Sequence, residues 1–162
     1  MKGYKLLDDN MVNQYGYKYE LGKMYYLNGD LVWSKNGFHF CTHVEDTLRY
    51  AKDKNGFTIT EVEGFGNIIC GDEYGDNAYY DFTGLYASDI FIINRIIPRQ
   101  EVIEMVVNTK IPDRINRLVM LTKLKEDEIQ FIRDHINDRN VNAYIDYYQY
   151  GDTEAFYKKL VR

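Results

Sequence analysis

Proline is nearly missing from this chain. It occurs twice in 162 residues, at Pro98 and Pro112, and both positions suit the first turn of a helix. Cysteine is as scarce: Cys41 and Cys70 are too few for a disulfide scaffold and, with no secretory signal, read as reduced thiols. A chain of 162 residues can bury a core without such staples. No apolar run approaches the roughly 18 residues that cross a bilayer. Met1-Lys2-Gly3-Tyr4 opens no signal-peptide core, and glycine in third place is not the myristoylation pattern. The expectation is a cytoplasmic protein without membrane contact. A basic excess is also lacking, because 20 Lys and Arg face 25 Asp and Glu for a net charge of -5. That balance argues against direct nucleic-acid binding, which needs cations to neutralise phosphates.

Tyrosine, by contrast, occurs 16 times. Its apolar ring and wet hydroxyl favour half-buried strand faces and contact surfaces. The charge is uneven as well. Residues 1–97 carry 9 cationic and 14 acidic side chains, whereas residues 98–162 carry 11 of each, so the acidic excess belongs to the front.

Periodicity divides the chain at the same place. Tyr4 to Leu7 reads as a first strand, and Tyr15, Tyr17 and Tyr19 alternate as one aromatic face of an extended segment. Asn28-Gly29 and Asn36-Gly37 supply the positive φ angles of type I′ turns, which predicts a three-stranded meander from Met24 to Cys41. Val44 to Lys52 reads as a short helix, with Thr42 as its cap and Glu45 completing a capping box. A strand through Phe57, Ile59 and Val62 follows, with Gly64 and Gly66 marking a bulge or a close approach before Asn67 to Cys70. Asp89 to Ile97, apolar on both faces, predicts a central strand covered on both sides.

From Pro98 the period is helical. Helices are expected from Pro98, Pro112, Glu126, Asn140 and Asp152-Thr153, with Gly151 ending the fourth. The fold class is therefore α+β. A mainly antiparallel sheet with one short helix (residues 1–97) precedes a helical bundle lobe (residues 98–162).

Complete catalytic or metal-binding sets are another absence. His39, Cys41 and His43 alternate along one strand face, but zinc needs a fourth ligand and the usual paired spacings are missing. No metal or cofactor is expected. Cys41 with His43 could form a thiolate pair only where the strand ends, and no oxyanion donors accompany it. Gly64-Phe65-Gly66 lacks the third glycine of a phosphate loop. The loop 71–84 lacks calcium-loop spacing, yet it interleaves acids with aromatic rings. Asp72, Glu73, Tyr74, Asp76, Tyr79, Tyr80 and Asp81 are accordingly the candidate protein-binding residues.

Two resemblances follow from these motifs. Lys2-Gly3-Tyr4-Lys5, Tyr19-Glu20-Leu21-Gly22-Lys23-Met24-Tyr25, Gly37-Phe38-His39-Phe40-Cys41 with Glu45-Asp46 and Tyr50-Ala51, and Glu61-Val62-Glu63 run in series. Over residues 2–97 the series resembles an uncharacterised family of small phage and prophage proteins, which brings no activity with it. Gly37 to Phe40 leading into a helix is also similar to the ADP-ribosyltransferase fold, in which His39 and Tyr50 would be the nicotinamide-holding residues. That fold carries His-Gly-Thr or Arg on its first strand, where this chain has Lys2-Gly3-Tyr4. The leading expectation is a non-enzymatic accessory protein of phage or prophage origin. It would bind a protein partner, such as a nucleic-acid-binding host defence nuclease that it inhibits. The alternatives are an NAD-using enzyme and an oligomeric structural protein. The sequence leaves the oligomeric state open.

Overall fold

A computed structural model describes residues 1–52, 57–74 and 84–160. They form an α+β protein with a five-stranded antiparallel sheet in the front and five α-helices in the C-terminal half. Two compact units result. One is Met1–Tyr50 with Phe57–Ile97; the other is Ala51–Gly56 with Pro98–Arg162.

The sheet unit is organised by β5 (Leu85–Ile97), the apolar run that the sequence marks as a central strand. It pairs along one side with β4 (Thr58–Cys70). Its other side takes β3 (Phe38–Cys41) at Leu85 to Ser88 and β2 (Met24–Tyr26) at Ile90 to Ile92. β1 (Lys2–Leu7) lies against β4 over its whole length and meets β3 at Tyr4 and Cys41. The pairing β5–β3–β1–β4 thus returns to β5, and the sheet closes on itself.

Inside this ladder Leu7, Tyr19, Tyr25, Phe38, Phe40, Val62, Phe91 and Ile93 form the core. The Phe40 ring needs two glycines beneath it. A Cβ on Gly3 would stand 2.5 Å from Phe40 Cδ2, and one on Gly64 would stand 2.8 Å from Phe40 Cε1. The bulge expected at Gly64 to Gly66 is present, as a register shift between Phe65 and Ile68. Gly66 takes φ 73° there, and Asp89 clamps the bulge by accepting from Asn67 N at 2.9 Å and Asn67 Nδ2 at 2.8 Å.

Several local expectations are corrected. The meander from Met24 to Cys41 does not form, since β2 and β3 both add to β5 instead of to each other. Val32 makes one isolated bridge to Asn36, and the Asn36 amide is spent on the carbonyls of Asn28 and Asp30 at 3.0 and 2.9 Å. A long apolar strand offers more pairing and burial than a three-residue hairpin partner. The tyrosine run also fails to make one face. Asn13 Oδ1 accepts from the N–H groups of Tyr15 and Tyr17, both at 2.9 Å, and folds the chain back. Tyr19 is buried while Tyr15 is exposed.

The short helix expected from Val44 forms as a 3₁₀ helix, Val44–Tyr50. Thr42 does not act as its cap: its N–H and hydroxyl both donate to Gly84 O, at 2.9 and 3.3 Å. Glu45 and Asp46 stand in its first turn and are buried. Finally, β5 is not covered on both sides along its length, because Asn94, Arg95 and Ile96 are exposed.

The helical unit holds α1 (Arg99–Val107), α2 (Pro112–Leu121), α3 (Glu126–His135), α4 (Arg139–Tyr150) and α5 (Thr153–Leu160). Pro98 and Pro112 open their helices as expected, and Gly151 ends α4 in the left-handed conformation at φ 70°. The cap of α4 is Asp138 rather than Asn140, because the Asp138 carboxylate accepts from Asn140 N and Val141 N. Val102, Ile103, Val106, Ile115, Leu118, Ile132, Val141 and Ile145 are buried. The buried Glu128 accepts from Arg99 Nε and Nη2, at 2.6 and 3.0 Å, and from Lys125 N at 2.9 Å. Burial alone would raise its pKa, but the Arg99 and Lys125 hydrogen bonds outweigh burial and hold it low.

Candidate functional site

The strand Phe38–Cys41 sorts its residues sharply. Phe38 and Phe40 enter the core, and His39 and Cys41 take the opposite face. His39 is no open ligand. Its ring meets Trp33 edge-on at 5.2 Å, and its buried Nε2 has no hydrogen-bond partner. Burial, with the Lys5 charge nearby, pushes its pKa down to about 4, against a smaller upward pull from a backbone hydrogen bond at Gly37. Lys5 donates to His39 O at 2.6 Å, and burial lowers its own pKa to about 8. At neutral pH His39 is therefore an uncharged ring under Trp33.

Tyr50 ends the 3₁₀ helix, and no ring contact or hydrogen bond among the described residues joins it to His39. Cys41 is buried, and burial with the Asp46 charge beside it pushes the thiol up to about 12. A thiol held there is not a nucleophile at neutral pH. His43 stands half-exposed, with Nδ1 3.8 Å from both Glu45 Oε1 and Asp46 Oδ2, too far for hydrogen bonds. Among the described residues no group of three His, Cys, Asp or Glu side chains is arranged to hold a metal ion.

Of the candidate protein-binding residues, Asp72, Glu73 and Tyr74 are exposed at the end of β4. Tyr74 stacks on Trp33 at 5.8 Å with 12° between the planes, so the rings Tyr74, Trp33 and His39 follow one another. The structure thus joins two residues that the sequence marks separately. Asp76, Tyr79, Tyr80 and Asp81 lie outside the described residues.

A surface absent from the sequence-based candidates emerges on the outer side of the sheet. Register places Tyr26, Ile90 and Phe65 in one row across three strands, and Met24, Ile92 and Glu63 in the next. Directly paired residues share a face, so five apolar side chains stand together, opposite the inner row of Tyr25, Phe91 and Gly64. Tyr26 is 70% exposed, Met24 39% and Phe65 37%, with Ile90 and Ile92 half-buried between them. The neighbouring positions are charged. Lys2 pairs with Glu63 in register, and Glu61 holds Arg95 at 3.3 Å. An apolar centre with a charged border is the anatomy of a contact surface.

These features define a closed antiparallel sheet unit with an exposed aromatic face, joined in sequence to a five-helix unit. Residues 1–77 match the family model described as a domain of unknown function, DUF7666. The match takes in β1 to β4 and the motifs at Gly37 to Cys41 and Glu61 to Glu63, and it stops before β5. No curated protein and no solved structure matches the chain. Among the described residues no helix is long and apolar enough to cross a membrane.

Proposed function

We propose that this protein acts by binding a protein partner through the outer face of its sheet. The observation that carries the reading is the row Tyr26–Ile90–Phe65 with Met24 and Ile92 beside it, apolar side chains from three adjoining strands left open to solvent. Such a patch on an otherwise charged surface is where binding energy concentrates, with aromatic side chains supplying most of it. The acidic excess of the front favours a basic partner. A nucleic-acid-binding host protein fits that chemistry, and the phage-protein resemblance extends the reading to an accessory protein that inhibits a host defence nuclease.

A photo-cross-linking amino acid placed at Tyr26 or Phe65, with Tyr148 in the helical unit as the control, tests the reading in host lysate. A partner captured at Tyr26 and Phe65 alone, and lost in Met24→Ser/Ile92→Ser, supports it. The same captured set at all three positions overturns it. Light scattering on the isolated chain separates the rival: a mass well above 19.2 kDa that falls in Tyr26→Ser/Phe65→Ser assigns the face to self-association.

A further inference from the structure

The helical unit carries a feature that the sheet-face reading does not use. An open cleft of about 680 Å³ is lined by Arg133 of α3, Asn137 of the α3–α4 connection, and Arg139, Asn142 and Asp146 of α4. Residues 139, 142 and 146 succeed one another by three and four positions, so they fall along one side of α4. Four of the five lining side chains are hydrogen-bond donors, and two of those are permanent cations.

Asp146, the one acid, is already engaged: Arg133 Nη2 stands 3.3 Å from its Oδ1. The Arg133 guanidinium also lies over the Tyr150 ring, 6.0 Å from its centroid, and the Tyr150 hydroxyl donates to Glu126 at 2.9 Å. Arg133 is thereby held in place, whereas Arg139 is exposed and makes neither an ion pair nor a side-chain hydrogen bond among the described residues. The helix end itself is not the attraction. Asp138 already accepts from the N–H groups of Asn140 and Val141, at 2.8 and 3.0 Å.

The unmet demand in this cleft is for acceptor oxygens carrying negative charge. Arginine's planar fork matches a phosphate or carboxylate, and the two asparagine amides add further donors. The volume exceeds that of one oxyanion several-fold and falls in the range of small-molecule sites. We infer that the cleft binds a small phosphate-bearing molecule, with the phosphate on Arg139 and Asn142 and the organic part along Asn137 and Arg133.

Nuclear magnetic resonance titrations of the full chain test this with inorganic phosphate, a nucleoside 5′-monophosphate and the corresponding nucleoside, at ionic strength held constant with sodium chloride. Saturable shifts of the Asn137 and Asn142 side-chain amides are expected with the first two and not with the nucleoside. Arg139→Gln is expected to weaken both by about tenfold, the loss of one charge-assisted contact. Arg139 is exposed, so this variant keeps the fold. Shifts that never saturate, shifts of equal strength in Arg139→Gln, or binding of the nucleoside as tight as that of its monophosphate would each overturn the inference.

Discussion

At the residue scale, His39 shows how far chemistry and position can diverge. Its imidazole, set beside a cysteine and a second histidine, reads as a ligand or catalyst in the sequence. In the fold it is a neutral ring against Trp33, with a pKa pushed down to about 4 by burial and by Lys5. What the sequence does not carry is Trp33's position, set by a turn six residues upstream that Asn36 pins through two carbonyls. The depressed pKa has a measurable consequence. As pH falls from about 6.5 to about 4, the unfolded chain takes up a proton that folded His39 refuses, so the unfolded state gains. The stability due to His39 is complete above pH 6.5 and is lost through that window, by up to about 3 kcal/mol. Urea denaturation at several pH values should show His39→Gln with a flatter acid limb than the wild type. Parallel limbs would mean that His39 titrates normally.

At the scale of elements, the helical half was legible and the pairing of the sheet was not. Pro112 and Gly151 act within one turn of where they stand, at an opening and a left-handed stop, so local pattern is enough to place them. β2 and β3 also lie on segments read as strands, but their partner is β5, nearly sixty residues beyond β2 in the chain. Local turn chemistry at Asn28-Gly29 and Asn36-Gly37 pointed to a three-stranded meander, and a long apolar strand outcompeted it. The outer face was hidden for the same reason. Met24, Tyr26, Phe65, Ile90 and Ile92 become neighbours only through the register of three strands.

The glycines under Phe40 belong to this scale too. In Gly64→Ala the new methyl would stand 2.8 Å from both Phe40 Cε1 and Ser88 Oγ, and the overpacking should cost about 1–3 kcal/mol. Phe40→Leu in the same chain should recover part of that cost, so a denaturation double-mutant cycle should give a coupling above about 0.5 kcal/mol. Additive effects would show that the ring does not press on this strand.

At the scale of the whole molecule, the acidic excess and the exposed sheet face lie in the sheet unit, and the donor-lined cleft lies in the helical unit. The family match ends at residue 77 and leaves β5 out, although β5 pairs with β2, β3 and β4. A fragment of residues 1–77 lacks the partner that three of its four strands use and should be unfolded by circular dichroism and proteolysis. A fragment of residues 1–97 should regain the sheet signal. A folded 1–77 fragment would show that β1, β3 and β4 suffice.

The return of the ladder onto β5 also sets a clock during synthesis. β1 leaves the ribosome first, yet its partner β4 is more than fifty residues behind it, and the strand that seals the ring is made last. Until Ile97 has emerged, Tyr25, Phe38 and Phe40 have no Phe91 to pack against, and the nascent front half waits with its aromatic side chains uncovered.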